Sequence, residues 1–316
     1  MLQMFLRRLA YGFLILNIMT ITLFVVVRLI PGDPVRAQLG DAAVSPERIK
    51  QITAEFGLDR PVWEQLASWY TGAVRGDFGT SYSLGRPVGE VVFARLPLTI
   101  ELTFIAVALA VTIGLLMGVV SAVRRNGWLD NVLRVTAVTG LSVPNFWLGL
   151  LLITFSSVVL RWVPPLEYRG FFTDPVANLA QMAMPAAALG VVLAASIARL
   201  SRSSMLEVLG ADFVRTLRAK GAPERVVLFK HALRNSMLPV LTLIGVQLGA
   251  LLGGTVILEQ VFALPGLGRT VFEAVNNRDY PLLQMCVLLY GAIFIVVNIV
   301  VDMCYGWVNP RMRRAD

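Results

Sequence analysis

The chain of 316 residues is 56% hydrophobic and only 15% charged, with a mean hydropathy of +0.70. An ordinary globular chain is about 25% charged, so too few polar side chains remain to coat a soluble globule of this length. The 28 Lys and Arg exceed the 20 Asp and Glu by 8, beside a single His; a disordered or coiled-coil chain is excluded, and the basic excess points to a membrane or to nucleic acid.

Cys286 and Cys304 share one apolar stretch. Their spacing corresponds to about 27 Å along a helix, so they cannot pair within it, and disulfide scaffolds and Cys-based metal sites are excluded. With His231 the only histidine, no metal site is expected.

Six segments are apolar enough, and nearly long enough or longer, to cross about 30 Å of hydrocarbon. They run approximately over 9–30, 99–123, 135–160, 183–200, 238–258 and 285–306. The fourth has the shortest uncharged core and is rich in Ala; Pro185 suits its first turn, and small residues are what packed membrane helices use. The first is too long for a cleaved signal peptide and lacks a small-residue cleavage site.

Charge orients this bundle. With the N-terminus inside, the inner segments hold Arg7, Arg8, Arg124, Arg125, Arg134, Arg199, Arg202, Arg215, Arg218, Lys220, Arg225, Lys230, Arg234, Arg311, Arg313 and Arg314. The two short outer loops hold only Arg161, Arg169, Arg269 and Arg278. The positive-inside rule is thus met with both termini cytoplasmic. The basic excess belongs to membrane topology, and nucleic acid is dropped as a partner.

Two loops exceed simple connectors. Residues 31–98 read as a small folded cap outside the membrane. A helix opens at Pro46 and Glu47, a stripe of Val62, Leu66, Trp69 and Ala73 follows Pro61, and Gly76, Gly79 and the polar Thr80–Ser83 stretch mark a turn. Residues 199–237 form the second long loop, on the cytoplasmic side.

Familiar catalytic patterns are missing. Gly249 through Gly254-Thr255 approaches a phosphate-binding loop but has no Lys and lies in a span, where glycines serve close packing. No H-E-x-x-H, G-x-S-x-G or C-x-x-C is present. The chain is expected to be no enzyme, with no catalytic residue and no cofactor of its own. Glu101, Glu259 and Asp302 are the ionisable residues near span ends, and Asn298 with Asp302 shares a helix face. Such residues are either pathway contacts or helix-end partners of Arg.

The inner loop is the most informative stretch. Leu206, Leu209, Phe213 and Leu217 fall at helical spacing, with Asp212, Arg215 and Arg218 off that stripe. Gly221 can end the helix in a left-handed cap, and Pro223 with Glu224 suits the first turn of a second short helix. That helix carries Arg225, Lys230, His231 and Arg234 before Pro239 opens the fifth span. Two amphipathic helices at a glycine hinge can dock a partner or rest on anionic headgroups; physical chemistry leaves both open.

The stretch from Asp212 through Phe213, Arg215, Thr216, Leu217, Arg218, Ala219 and Lys220 to Gly221, with His231–Asn235 and Leu238-Pro239 beyond it, resembles the cytoplasmic signature loop of ABC importer permeases. It is most similar to the peptide/nickel branch, although Arg215-Thr216-Leu217 stands where the general motif has Glu-Ala-Ala. Leu29–Pro34, Gly76–Gly79, Ser142–Phe146, Glu259–Phe262, Leu264–Arg269, Arg278–Pro281 and Asn309–Arg311 extend the resemblance along the chain in order and spacing.

The resemblance implies an all-α membrane protein of six transmembrane helices with type I ABC importer permease architecture. Residues 1–98 would form the first span and the extracytoplasmic cap, and residues 99–310 the core with the coupling loop 199–237. Implied partners are a homologous second permease, two ABC ATPases that bind the ATP and Mg, an extracytoplasmic solute-binding protein and the lipid bilayer of a bacterial inner membrane. The solute would be a di- or oligopeptide, with a nickel chelate, glutathione or another small solute as alternatives. Asp212–Gly221 would couple to the ATPases. Glu259, Leu264, Pro265, Gly266, Gly268 and Arg269 would form an external gate or binding-protein contact, with Pro265-Gly266 a tight turn using positive φ at the glycine and two leucines buried against another surface. Pro144, Asn145 and Asn298 would line the pathway. A secondary transporter, needing inverted repeats or midspan charges, and a structural membrane protein remain as rival classes.

Overall fold

The computed structural model describes residues 2–29, 32, 34–39, 45–165 and 167–308. Parts of the Leu29–Pro34 stretch, the Asn309–Arg311 stretch with the basic tail, and the Asp302 side chain lie outside the described residues. Among the described residues the one extended pairing is a single bridge between Thr80 and Pro87; everything else is helix, turn or loop.

The chain runs α1 (Leu2–Leu29), α2 (Pro34–Leu39), α3 (Pro46–Glu55), α4 (Val62–Val74), α5 (Val88–Val123), α6 (Trp128–Ser142), α7 (Asn145–Val158), α8 (Pro175–Leu209) and α9 (Asp212–Ala219). A π-helical segment, Val226–Ala232, then feeds α10 (Leu233–Val261), followed by α11 (Leu267–Asn276) and α12 (Tyr280–Val308). Among the described residues, five helical stretches are long and apolar enough to cross a bilayer: Leu6–Leu29, Val88–Val123, Pro175–Leu209, Val226–Val261 and Tyr280–Val301. The pair α6 and α7 supplies the sixth when counted as one broken span.

That break corrects the continuous helix expected over 135–160. The two halves meet at 103°. Val143 is extended (φ −91°, ψ 121°) ahead of Pro144, as the proline ring requires of its predecessor. The same residue type does not break the other spans. Pro185 lies well inside α8 and Pro239 inside α10, so neither opens a helix as the sequence suggested. The true start of α8 is Pro175, capped by the Asp174 carboxylate on the Ala177 N–H at 3.1 Å. α5 likewise begins before Thr99, at Val88, with Pro97 inside it. Prolines survive within membrane helices because neighbouring helices re-satisfy the freed backbone.

The Cα positions divide into two compact units. One comprises Leu2–Thr99 and Pro265–Ile295. Its core joins Val27 of α1, Val88, Val91 and Val92 of α5, Leu267 and Ala274 of α11, and Leu282, Met285 and Cys286 of α12. Arg28 bonds Gln65 Oε1 from Nε (3.1 Å) and Nη2 (2.8 Å), tying α1 to α4. The opening of α3 at Pro46 is capped by Ser45, and Gly76 and Gly79 both have positive φ.

The other unit comprises Ile100–Leu264 and the described residues from Val296 onward. Its centre is α8, the span whose sequence looked weakest: 61% of its apolar window is buried, against 17–28% in the other four. Small side chains explain this, because they let backbones approach closely. A Cβ on Gly190 would lie 2.8 Å from the Ala106 carbonyl oxygen, and one on Gly114 would lie 2.6 Å from that of Ala194.

Candidate functional site

The end of α8 leads through Gly210 and Ala211 into α9, which is only 8 residues long. Asp212 occupies its first turn and Arg218 its last, each at the helix end whose dipole it complements. Val214 is fully buried and Leu217 half-buried, while Asp212, Phe213, Arg215, Thr216, Arg218, Ala219 and Lys220 are exposed. Phe213, at 42% exposure, is an aromatic ring presented to the surroundings by a helix held from beneath. The Leu206–Leu217 stripe is not one helix face, since α8 stops at Leu209 and α9 restarts at Asp212.

Gly221 has φ +77° and closes α9. Its N–H donates to the Arg218 carbonyl (2.9 Å) and the Ala222 N–H to that of Leu217 (3.1 Å), the two bonds of a Schellman cap. The second short helix expected after the hinge is not separate. Val226–Ala232 is a π-helical turn continuous with α10, with the Leu233 N–H bonded to the Leu228 carbonyl. Such turns concentrate at functional positions in helices. α9 packs on this segment, and across the hinge Arg218 grips Glu224 with two bonds, Nε–Oε2 at 3.1 Å and Nη2–Oε1 at 2.6 Å. The pair raises the Arg218 pKa and lowers that of Glu224, hydrogen bonding being the main cause in both. Beneath them Ala122 of α5, Met205 of α8 and Ala232 form a small apolar core.

Sequence reasoning missed the charge cluster beside this core. Asp130, fully buried in the first turn of α6, receives two 2.7 Å bonds from Arg202 Nε and Nη2. It also accepts from the Asn126 N–H at 2.9 Å and from the Ser121 hydroxyl. Asn126 itself has φ +62°. In the sequence Arg202 is one inside-facing charge among many, and no local motif marks a partner 72 residues away.

At the C-terminus of α10, Glu259, Leu264, Gly266 and Gly268 are buried, Arg269 is half-buried and Pro265 is exposed. The left-handed residue of this turn is Ala263 (φ +52°), whereas Gly266 is extended (φ −102°, ψ −176°) and serves as N-cap of α11. The positive φ expected at Gly266 is therefore one turn earlier in the chain. Both leucines are buried within this chain, Leu267 in the core that includes Val88 and Val92. Its N–H donates to Thr99 Oγ1 at 2.8 Å, and Arg95 reaches Thr270 (2.8 Å) and Glu273 (3.0 Å) of α11. After α11, buried Asp279 accepts from Ser81 Oγ (2.5 Å), Ser83 Oγ (2.8 Å) and Ser83 N–H (2.9 Å). The polar Thr80–Ser83 turn is thus fastened to the Arg278–Pro281 stretch.

Of the residues suggested to line a pathway, Pro144 is exposed at the break and Asn145 is half-buried. Asn145 sits beside Gly254, whose Cβ would meet its Nδ2 at 3.1 Å. Asn298 lies half-buried on α12.

Among the described residues, five apolar helices and a broken sixth span define a multi-span membrane protein. The chain belongs to the family of binding-protein-dependent transport system inner membrane components: that family's profile matches residues 110–314, and the profile of its N-terminal region matches residues 1–103. It is 42% identical to the dipeptide transport system permease protein DppB of Escherichia coli (strain K12), covering 99% of each chain. Identity is 40% to a peptide transport system permease protein of Brucella abortus (strain 2308), again over 99% of both. With DppB of Alkalihalophilus pseudofirmus it is 38%, over 99% of this chain and all of that one. Among solved structures, the inward-facing MetNI methionine ABC transporter superposes with a TM-score of 0.55 at 20% identity, covering 69% of this chain and 96% of that one. The fold is therefore that of an ABC transporter permease, and the chain is an inner-membrane permease subunit of such a transport system.

Proposed function

We propose that this chain and a homologous second permease together form the translocation pathway of an ABC importer for di- or oligopeptides. Two ATPase subunits hold the ATP and Mg, so this chain performs no chemistry and carries no cofactor. An extracytoplasmic binding protein delivers the solute, and both termini face the cytoplasm. Residues 1–98 supply the first span and the external cap, and residues 99–310 supply the core. The observation that carries the reading is α9: a short helix with Val214 buried, Phe213 and Arg215 exposed, and a left-handed glycine at its end. Asp212–Gly221 is the surface the ATPases push. The peptide-transport names of the full-length relatives support the solute class.

Near the outer ends of α10 and α11, Pro265 and Arg269 are the parts of the proposed gate open to the binding protein, with Glu259, Leu264, Gly266 and Gly268 holding the turn from behind. Pro144, Asn145 and Asn298 line the pathway. Proteoliposomes containing the complete complex should accumulate labelled dipeptide only with ATP and the loaded binding protein. Accumulation by liposomes holding this chain alone, or driven by an ion gradient without ATP, would overturn the reading in favour of a secondary transporter.

A further inference from the structure

Near the α9 end of α8, α5 and α8 approach closely at glycine notches. A Cβ on Gly118 would lie 2.5 Å from Ser201 Cβ and 2.8 Å from the Ala198 carbonyl oxygen. Contacts of this kind, small residue against backbone, permit close approach. One turn away the buried Ile197 side chain of α8 fills the notch at Gly114, its Cβ 2.8 Å from where a Gly114 Cβ would stand. Immediately after Ser201 comes Arg202, and its guanidinium closes on buried Asp130 with two parallel bonds. A bidentate pair has geometric specificity that apolar contact lacks, and fixing register is among the best-attested uses of a buried polar group.

The cluster spans three elements. Asp130 belongs to α6, Ser121 to α5, Asn126 to the turn between them and Arg202 to α8. α8 is also the rod that ends in the coupling helix, with Arg202 two turns short of its last residue, Leu209. Motion delivered at α9 reaches α8 directly through the chain. It reaches α5 and α6 through their apolar packing on α8, through the core of Ala122, Met205 and Ala232, and through this charged cluster, and α6 leads to the break at Pro144.

We propose that Asp130 is a positioning residue that locks the α5–α6 turn to the α9 end of α8. Displacement of the coupling helix then moves the α5–α6 turn together with α8. The proposal rests on the coupling reading of α9 given above.

The test uses the full complex in lipid with Cys286 and Cys304 replaced by Ala. Spin labels are placed at two exposed positions, Val132 on α6 and Ser203 on α8. In the otherwise wild-type chain the distance between the labels should be the same without nucleotide and with ATP. In Asp130→Asn it should shift or broaden on ATP binding, while assembly and basal hydrolysis are unchanged. Solute imported per ATP should fall about tenfold, within the usual range of coupling between sites. Arg202→Lys keeps the charge but loses the fork and should fall between the two. A wild-type distance that changes with ATP overturns the lock, as does wild-type import per ATP in Asp130→Asn. Should Asp130→Asn fail to assemble, the wild-type distance still decides. A constant distance in a complex that imports no peptide would contradict the assigned solute and leave the lock supported.

Discussion

Among the described residues five helices end in the same pair of backbone hydrogen bonds around a left-handed residue, α3 and α4 at Gly57 and Gly76 and the other three at different residue types. α9 ends at Gly221 (φ +77°), α10 at Ala263 (φ +52°) and α11 at Arg278 (φ +53°). For an L-residue that conformation costs roughly 1–2 kcal/mol, and glycine avoids it. No atom lies within 4 Å of where a Cβ on Gly221 would stand, so the demand there is purely on backbone conformation. Gly221→Asn, which tolerates positive φ, should therefore import at close to the wild-type rate. Gly221→Val should insert normally but lose most coupled transport, and equal uptake by the two variants at equal expression would refute the hinge. At Ala263 the argument reverses. Ala263→Gly relieves the strain but adds unfolded-chain entropy, a net gain of up to about 1 kcal/mol. The thermal midpoint of the purified complex should rise, and a fall would mean that the Ala263 methyl group packs more than its backbone strains.

Proline shows how far elements could be read from sequence. In water a proline in an apolar run marks a helix start or a break, and Pro185 and Pro239 were read as starts on that basis. Both lie inside continuous spans, whereas Pro144 divides one by 103°. The residue type is identical, so tertiary surroundings decide, and those are invisible locally. Pro144→Ala restores an N–H at the break and should let α6 run on into α7. Spin labels at the exposed positions Val132 and Val158 should then move apart; an unchanged distance would assign the bend to packing. The elements that were legible carried their signals nearby: Ser45-Pro46-Glu47 opens α3, and Asp212 with Gly221 bounds α9. Asp130 and Asp279 were not legible as organising residues because their partners lie 72 and as many as 198 residues away. The brace between Arg218 and Glu224 belongs to the same scale. Its side chains are about half exposed, so Glu224→Gln should cost less than about 1 kcal/mol. Glu224 titrates below its ordinary value. The brace therefore contributes fully above the unfolded carboxylate pKa of about 4.3 and is lost as pH falls through the lower folded value. Glu224→Gln should match wild-type stability in acid and fall slightly behind at neutral pH. A deficit that grew on acidification would show that the pair does not act as assigned.

At the scale of the molecule, α5 and α12 each contribute residues to both compact units, and the chain returns from α10 through α11 to the unit that holds α1 to α4. The candidate docking element and the candidate outer gate are consequently the two ends of one continuous stretch: α9, the π-helical turn, α10 and the Ala263–Gly266 turn. In the proposed function, energy enters this stretch at α9 from a separate ATPase. Phe213, exposed on that helix, tests it most directly. In the complete complex, with Cys286 and Cys304 replaced, Phe213→Cys should cross-link to an ATPase subunit, with a yield that changes between the nucleotide-free and ATP-bound states. Cross-linking to the binding protein, or none to an ATPase in an actively transporting complex, would contradict the account.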